Sequence, residues 1–382
     1  MTGASARAVI VDAVRTPIGK RAGTLSMLRP AELLRTVLCE LLRRNDIGPS
    51  AVHQIVGGSV TQVGEQGFNV TRCAWLSTGL DYAVPCMTLD ASCGSAQQAS
   101  EVVRAQIEAG TLDLAIACGV ESMSRVPAGA NIPGGKADYR TDDYPWDDPP
   151  GLQFGGAERI ARRQGHTREH LDDYGLRSQR RAAKASADGV FAGEIVPMST
   201  PDGEVTEDEG IRDTSPEGLA ALAPTIRGGL HTAATTSQVS DGASAVLWAS
   251  RDRAAELGLR PLGQVAGHAF VGADPYYLLD GPFDATRAVL ASTGMTLAGI
   301  DIAEVNEAFA SVVLSWAERT GADLDRVNVN GGAIALGHPM GATGVRLMAT
   351  ALGELRRRDA EHALVTMCCG GSLGTATILR RL

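Results

Sequence analysis

The sequence predicts an α/β protein built from two similar halves, with an irregular segment inserted between them. The chain of 382 residues is 44% hydrophobic but only 4% aromatic, and it contains 45 glycines. This composition suits helices packed closely on sheets better than an all-β sandwich, and the length exceeds that of a usual single core. A second observation is an internal repeat of helices and strands. A third is the break in that repeat from about residue 120 to 240.

The repeat is a run of helix, strand, helix and strand that occurs in the first and last thirds of the chain. After an opening strand at 8–11, the first copy has these elements at 32–44, 55–60, 93–109 and 112–119. The second copy has them at 285–292, 302–309, 345–358 and 362–371. Such a duplication implies two similar α/β halves. Cys93 and His338 lie at equivalent helix entrances, so if the halves pack about an approximate two-fold axis, we expect both residues to face a shared cleft.

The segment between the two copies is interpreted as a lid over this cleft. Residues 128–151 are dense in Gly, Pro, Asp and Asn, which is typical of a long irregular loop, and two helices are predicted after it, at 156–163 and 168–187. The chain returns to strand character at 243–249. We therefore predict three units. These are an N-terminal half at 1–120 plus 240–256, an inserted loop domain at 121–239, and a C-terminal half at 257–382.

Charge and composition argue against several classes of partner. The net charge is −9 and no polybasic tract occurs, which argues against nucleic acid or an anionic membrane as a partner. No apolar run is long enough to cross a bilayer, and the chain enters its first strand without a leader segment, so we expect a cytoplasmic protein. Seven cysteines without a CxxC pair indicate reduced thiols rather than a disulfide framework or a zinc site.

Two helix entrances carry residues with chemical potential. His338 lies in a bed of small residues, Asn330–Gly344, where glycines allow other groups to approach the imidazole closely. This placement favours acid–base chemistry, with a histidine packed in a glycine turn as the alternative. Cys93 stands at the start of a helix, where free backbone N–H groups and the positive end of the helix dipole favour the thiolate. The alternative for Cys93 is a small buried hydrophobic residue.

Two further loops carry polar groups at the ends of apolar strands. Cys368 and Cys369 precede Gly370 and a second glycine. A cysteine there can act as an acid or base while glycine amides form an oxyanion hole. We interpret Cys369 as a packing residue or a site of oxidation rather than as a catalytic group. The segment Asn306–Phe309 places a polar pair after another strand, able to fix a water molecule or a carbonyl group.

Motifs in this order resemble those of the thiolases, acyl-CoA acetyltransferases of the 3-ketoacyl-CoA class. They are Val14–Lys20, the Cys93 loop, Asn306–Phe309, Gly331–Pro339 and Cys368–Gly371, and the resemblance covers essentially the whole chain. It implies the thiolase fold, in which two βαβαβαββ halves pack as a layered α-β-α-β-α sandwich with an inserted loop domain. It also implies a homodimer or a homotetramer.

The resemblance implies a role for each candidate catalytic residue. Cys93 is the acylated nucleophile, His338 the base that activates it, and Cys368 the acid–base for the α-carbon or for the incoming CoA thiol. One oxyanion hole is formed by His338 with a water molecule held by Asn306. The other is formed by the backbone N–H groups of Cys93 and Gly370.

The implied reaction is CoA-dependent thiolysis of a 3-ketoacyl-CoA to acetyl-CoA or propionyl-CoA and a shortened acyl-CoA. It follows ping-pong kinetics through an acyl-Cys93 intermediate and is reversible as a Claisen condensation. Acyl-CoA and CoA are the partners, with CoA as co-substrate. No metal or redox cofactor is required.

The resemblance assigns four further residues to the binding of CoA or substrate. Ser237 matches a serine that touches the pantetheine arm, with a helix or turn cap as the alternative. Arg212 falls near an arginine that contacts the CoA nucleotide, with a solvated surface arginine as the alternative. Leu278 and Phe309 belong to substrate-facing segments.

The chain departs from the family pattern around the substrate. Asp90 and Ala96 replace an asparagine and a glycine near the nucleophile, and Gln153–Glu158 and Asp274–Pro282 differ from the segments of small-substrate thiolases. These segments look more like those of bacterial degradative thiolases that act on bulky acyl groups, including sterol side chains. We therefore expect a role in fatty-acid or sterol side-chain β-oxidation, with a biosynthetic acetoacetyl-CoA thiolase as the alternative.

Three other classes of protein fit the sequence less well. A decarboxylating ketoacyl synthase would carry a second histidine in place of Asn306–Phe309 and would lack Cys368. A non-catalytic lipid-binding relative would be expected to lose Cys93, His338 or Cys368, and all three are present. A metal site built from Cys368, Cys369 and His338 lacks the usual ligand spacing and a fourth candidate.

Overall fold

Strands and helices alternate through both halves of the computed structural model, which describes residues 7–132 and 140–382. The strands are β1 Ala8–Arg15, β2 Gly19–Lys20, β3 Gln54–Gly58, β4 Cys86–Leu89, β5 Leu114–Ser122, β6 Met198–Thr200, β7 Gly203–Val205, β8 Ser240–Ser250, β9 Gly263–Gly272, β10 Ile302–Val305, β11 His362–Cys369 and β12 Leu373–Arg381. The α-helices are α1 Pro30–Arg44, α2 Val70–Leu76, α3 Ser95–Glu108, α4 Gln153–Gln164, α5 Arg168–Ala187, α6 Pro216–Ala220, α7 Arg251–Glu256, α8 Gly281–Thr293, α9 Ala310–Thr320 and α10 Thr343–Arg358.

The two halves have the same strand pairing. One sheet path runs in the order β10-β11-β12-β9-β1-β8-β5-β3-β4, with β2 beside β8, and the halves meet where Ile10 of β1 pairs with Gly263 of β9. In the first half β3 and β5 are parallel, while β5 with β8 and β8 with β1 are antiparallel. In the second half β10 and β11 are parallel, while β11 with β12 and β12 with β9 are antiparallel. This equal pairing confirms the predicted duplication.

Strand β4 has only a reduced counterpart in the second half. At the equivalent place beside β10, a single parallel bridge joins Ala303 and Val327. The side chain of Asn328 explains the difference, since its Oδ1 accepts the N–H of Val305 and its Nδ2 donates to the carbonyl oxygen of Val305, both at 2.8 Å. One asparagine thus satisfies backbone groups that a longer strand would otherwise pair.

Three buried clusters of apolar side chains define five layers. One cluster packs α1 and α2 against the outer face of the first sheet half, and another packs α8 and α9 against the outer face of the second. The third lies between the halves and contains side chains of α3 and α10. This arrangement confirms the predicted α-β-α-β-α sandwich.

The central helices α3 and α10 meet at their first turns. A Cβ atom at Gly344, the second residue of α10, would clash with the backbone nitrogen of Gln97, the third residue of α3, so only glycine allows this approach. Cys93 precedes α3 and His338 precedes α10. The meeting of the two helix entrances therefore brings both loops to the same region of the molecule.

The segment between β5 and β8 contains α4, α5, α6 and the antiparallel pair β6–β7. Helices α4 and α5 confirm the two predicted helices, although α4 begins three residues earlier than expected. The predicted irregular excursion at 128–151 has no helix or strand in its described parts, and its residues 133–139 lie outside the described residues. No helix in the described ranges is long and apolar enough to span a membrane.

Candidate active site

The His338 side chain is held between Thr343, the first residue of α10, and Asn306, which directly follows β10. Its Nδ1 lies 2.7 Å from Oγ1 of Thr343, and this hydroxyl donates to the carbonyl oxygen of Pro339 at 2.9 Å. Because the hydroxyl has one hydrogen, it accepts the Nδ1–H of His338, which leaves Nε2 unprotonated. Nδ2 of Asn306 lies 3.3 Å from this Nε2. Burial, and secondly the positive charge of Arg346, lower the pKa of His338 to about 3, so the imidazole is neutral.

Backbone contacts fix the loop that carries His338. Gly337 has a φ of 110°, in the region that favours glycine, and a Cβ atom there would clash with Oγ of Ser240. That hydroxyl oxygen accepts the backbone N–H of His338 at 3.1 Å. On the other side of the histidine, the N–H of Gly341 donates to the carboxylate of Glu121 at 2.9 Å. The glycines therefore allow close backbone approach on both sides of the imidazole, as the sequence predicted.

Cys93 lies two residues before α3, whose N-cap is Gly94, and its side chain is buried. The backbone N–H groups of Gly370 and of Cys93 itself act on the thiol and favour its ionised form. The sequence predicted that the helix entrance favours the thiolate, and these two amides act in that direction. Burial raises the pKa of Cys93 to about 12 and outweighs the amides, because a thiolate removed from water loses its solvation. Cys93 is therefore protonated and needs a base to react.

The two cysteines at the end of β11 pack in different clusters. Cys368 packs with Leu278, Phe309 and side chains of α4, whereas Cys369 packs in the central layer with Cys93. Burial raises the pKa of Cys368, and charge on Cys93 raises it further. Burial, and then charge on Cys93, likewise raise the pKa of Cys369, so both thiols lie close to the nucleophile. Sγ of Cys369 packs behind the nucleophile loop, where a Cβ atom at Gly94 would clash with it.

A cavity of about 760 Å³ opens beside these groups. Asp90, Ser92 and Gly370 are among its lining residues, which places one end of the cavity against the Cys93 loop. Several lining residues other than glycine have positive φ angles. These are Ser92 at 52°, Leu152 at 52°, Leu278 at 62° and Ser372 at 58°. Such backbone is uncommon outside glycine and clusters at functional sites, so the cavity walls are held in a strained shape.

Two of the predicted binding residues lie against Cys368. Leu278 and Phe309 are both buried in its cluster, and Leu278 also lines the cavity. The Phe309 ring meets the ring of Phe154 edge-on, with 5.4 Å between ring centroids, and Phe154 lines the cavity as well. Aromatic and aliphatic side chains therefore surround the second thiol on the cavity side.

Ser237 and Arg212 are placed differently from each other. The N–H of Ser237 donates to the carbonyl oxygen of Ala308 at 3.0 Å, beside the loop of Asn306, and Ser237 caps none of the described helices. Arg212 is exposed and is not among the residues that line the cavity. Its backbone N–H donates to Oε1 of Gln179 at 2.9 Å. The assignment of Arg212 to the CoA nucleotide stays a prediction.

Thr343 and Glu307 hold site residues in place, and the sequence did not assign these roles to them. The available signal for Thr343 was a hydroxyl group five residues after His338, in the first turn of the following helix. Glu307 directly follows Asn306, is buried, and accepts hydrogen bonds from two hydroxyl groups of α5. The available signal for Glu307 was a charged residue immediately after an apolar strand.

Oδ1 of Asn306 is buried and has no hydrogen-bond partner among the described residues. Buried acceptors of this kind are normally satisfied by water or by a ligand. The orphan oxygen fits the expectation that Asn306 holds a water molecule next to His338. Within the described ranges, no group of three or more His, Cys, Asp or Glu side chains is placed to hold a metal ion.

Comparison with known proteins first gives the class of enzyme. The crystal structure of the Bacillus anthracis acetyl-CoA acetyltransferase matches this fold with a TM-score of 0.90 and 34% identical residues, over 100% of both chains. The fold and the predicted site thus define an acyltransferase. Two family models then match the chain, the thiolase N-terminal domain over residues 8–252 and the thiolase C-terminal domain over residues 259–381. The chain belongs to the thiolase family, and the predicted fold is confirmed.

Two curated relatives match nearly the whole chain. The steroid 3-ketoacyl-CoA thiolase FadA6 of Mycobacterium tuberculosis is 42% identical, and the match covers 98% of this chain and 94% of the relative. The acetyl-CoA acetyltransferase of Chromobacterium violaceum is 39% identical, and the match covers 97% of this chain and 99% of the relative.

Proposed function

We propose that the protein catalyses CoA-dependent thiolysis of a 3-ketoacyl-CoA to acetyl-CoA or propionyl-CoA and a shortened acyl-CoA, with the acyl group carried on Cys93. The observation that carries this proposal is a protonated, buried thiol at Cys93 together with a neutral imidazole at His338 whose Nδ1 is already occupied. This arrangement leaves Nε2 as the base. Cys368 supplies a second thiol within electrostatic reach of the first.

In the first half-reaction, Nε2 of His338 takes the proton of Cys93, and the sulfur attacks the 3-keto carbon. The backbone N–H groups of Cys93 and Gly370 stabilise the oxyanion that forms there, because both already point at the sulfur and the oxyanion develops on the carbon bonded to that sulfur. The bond between the α-carbon and the keto carbon then breaks. Cys368 protonates the α-carbon, while His338 and a water molecule on Asn306 stabilise the enolate oxygen.

In the second half-reaction, the thiolate left at Cys368 takes the proton of the incoming CoA thiol. The CoA sulfur attacks the acyl carbon on Cys93, and the same two backbone N–H groups stabilise the new oxyanion. The Cys93 sulfur leaves and recovers its proton from His338. Every group returns to its starting state, so the sequence of steps is reversible and follows ping-pong kinetics.

We propose a bulky acyl group, from a fatty-acid chain or a sterol side chain undergoing β-oxidation. A volume of about 760 Å³ lies in the upper part of the range for pockets that enclose a whole ligand. The 42% identity to a relative named as a steroid thiolase supports the same substrate class. A biosynthetic acetoacetyl-CoA thiolase is the second candidate, favoured by the 39% identity to an acetyl-CoA acetyltransferase.

A homodimer or homotetramer is part of the proposal. In the described part of the chain, β4 ends the large sheet and pairs only with β3. Exposed apolar side chains occur in the segment that leads into β4 and within β4 itself, namely Val63, Phe68, Leu76, Leu80, Tyr82 and Met87. Phe68 is 98% exposed, and exposed apolar side chains beside an open sheet edge are typical of a surface that binds another protein chain. We assign it to a second copy of this chain.

The division into units and the cellular location complete the proposal. We propose that residues 121–239 form the loop domain over the cavity, that 1–120 with 240–256 form the first half and that 257–382 form the second. The pairing of β8 with both β1 and β5 supports placing 240–250 in the first half. We propose that the protein acts in the cytoplasm, where its seven thiols stay reduced.

The test is CoA-dependent thiolysis of acetoacetyl-CoA, a medium-chain 3-ketoacyl-CoA and a sterol-derived 3-ketoacyl-CoA by the purified protein. A higher kcat/KM for the bulky substrates supports the proposal, and a higher kcat/KM for acetoacetyl-CoA supports the second candidate. Mass spectrometry after incubation without CoA should locate the acyl group on Cys93. No thiolysis of any substrate by folded protein would refute the assignment.

A further inference from the structure

Glu304 and Arg346 are buried ionisable residues whose polar side-chain atoms have no hydrogen-bond partner in the described part of the chain. Both Oε atoms of Glu304, and Nε, Nη1 and Nη2 of Arg346, are buried without a hydrogen-bond partner among the described residues. Arg346 is 2% exposed and Glu304 is 0% exposed. An unsatisfied charge at such depth is strongly unfavourable. Five polar atoms in this state require further polar groups beside them.

Arg346 lies on a polar stripe along the central helix α10. Thr343, Arg346, Thr350 and Glu354 are spaced by three, four and four residues and are all buried, so they share one face of the helix. Thr343 holds His338, Thr350 donates to the carboxylate of Glu194 at 3.1 Å, and Glu354 bonds Asn330 at 2.9 Å. Arg346 is thus the one member of this stripe without a hydrogen bond from its polar side-chain atoms.

Glu304 faces the gap between β10 and α10 from the strand side. It precedes Asn306 by two residues, and Asn306 continues the strand pairing because its N–H donates to the carbonyl oxygen of Thr366 at 2.9 Å. Residues two apart in a strand point to the same side, so Glu304 faces the central layer as Asn306 does. Burial raises the pKa of Glu304 to about 8, and the positive charge of Arg346 is the first charge that opposes this shift. Burial lowers the pKa of Arg346, and Glu304 is the first charge that opposes that shift.

We infer that Glu304 and Arg346 are positioning residues of the active site, forming a buried carboxyl–guanidinium pair bridged by enclosed water that spans the gap between β10 and α10 next to Asn306 and His338. The strand supplies Glu304 and Asn306 to this gap, and the helix supplies Arg346 and Thr343. Enclosed water typically makes about three hydrogen bonds to buried polar groups. The five orphan atoms provide sites for such bonds.

The function of the pair is to set the width of the gap in which His338 contacts Asn306. The contact between Nδ2 of Asn306 and Nε2 of His338 is 3.3 Å, at the long end for a hydrogen bond. Loss of either charged group leaves the other buried and unpaired, so the helix and strand move relative to each other. Misplacement by about 1 Å can reduce turnover by about a hundredfold. The inference rests on the proposed function, because His338 is the base in that reaction.

The experiment compares Glu304→Gln and Arg346→Met with Thr350→Val as a matched control, at about pH 9, above the pKa of Glu304. Thr350 lies on the same buried stripe, one turn farther from His338, so its replacement also removes a buried polar group. For both charged-residue variants we expect kcat for thiolysis to fall about tenfold to a hundredfold, with KM for acyl-CoA within about twofold because the cavity is untouched. Alkylation of Cys93 by iodoacetamide, which needs the base but no substrate, should slow in parallel. Thr350→Val should keep both rates.

A folded Glu304→Gln protein with kcat and alkylation rate within about twofold of the wild type overturns the inference, as does an equal loss in Thr350→Val. If a single charged-residue variant does not fold, the double variant Glu304→Leu/Arg346→Met decides, because apolar replacement of a whole buried pair is often tolerated. A folded double variant with wild-type kcat then overturns the inference, and one with reduced kcat supports it. If the wild type shows no thiolysis, the proposed function fails, and the alkylation rates still test the pair.

Discussion

Replacement of Thr343 by valine tests whether one hydroxyl group fixes the base of the reaction. The hydroxyl accepts the Nδ1–H of His338 at 2.7 Å and donates to the carbonyl oxygen of Pro339 at 2.9 Å. Valine has nearly the same shape but leaves the Nδ1–H of His338 unpaired, whereas the carbonyl oxygen of Pro339 still accepts the backbone N–H groups of Ala342 and Thr343. Loss of the bond at Nδ1 costs about 1–3 kcal/mol. If the cost at Nδ1 falls on the transition state, in which the imidazole carries a positive charge, kcat/KM falls about fivefold to 150-fold.

The assay is steady-state thiolysis with Thr343→Val, and Thr343→Ser is the matched control. Serine keeps the hydroxyl and loses only a methyl group, so it should retain activity within about threefold while losing about 1 kcal/mol of stability. Alkylation of Cys93 should slow in the valine variant alone. Wild-type kcat/KM in a folded Thr343→Val protein would falsify the assignment of the tautomer. An equal loss in both variants would show that the methyl group matters instead.

Three further changes have expected results of their own. Cys93→Ala should abolish both the acyl adduct and thiolysis, and an acyl adduct that persists would remove Cys93 as the nucleophile. Cys368→Ala should still form the adduct slowly but lose turnover with CoA, whereas full turnover would reassign the acid–base. Because burial lowers the pKa of His338 to about 3, the unfolded chain binds a proton there below about pH 6.5 and the folded chain does not. The free energy of unfolding should therefore fall as the pH drops from about 7.5 to 5. In urea unfolding, His338→Asn should make this fall smaller by about 2 kcal/mol. An unchanged pH slope would contradict this.

Most of the fold could be predicted from the sequence because the layers are built from periodic segments. Helix α5 has its predicted bounds, and α10 begins two residues before its predicted start. The reduced strand beside β10 could not be predicted, since the side chain of Asn328 replaces its hydrogen bonds. Such a replacement depends on residues 23 positions apart in the chain and leaves no periodic signal.

The residues of the candidate site could be proposed from local sequence signals, whereas their ionisation states could not. Cys93, His338, Asn306 and Cys368 stand next to glycines or at the ends of apolar runs, which is a local signal. The pKa of Cys93 depends on how many layers cover it, and burial there outweighs the helix entrance. The partner of His338 is a threonine whose direction depends on where α10 begins. Neither property is encoded within a few residues of the group concerned.

The pKa shifts at the site indicate at which stage of the reaction the N-terminal ends of α3 and α10 stabilise charge. Burial raises the pKa of both Cys93 and Cys368 and lowers that of His338, so every shift favours the uncharged form at rest. The N-terminal ends of α3 and α10 nevertheless meet there, and backbone N–H groups point at the nucleophile. In a site already held neutral, such dipoles stabilise charge mainly when an oxyanion develops during the reaction, at little reorganisation cost. The duplicated fold therefore explains why two helix entrances are brought together around thiols that neither entrance ionises.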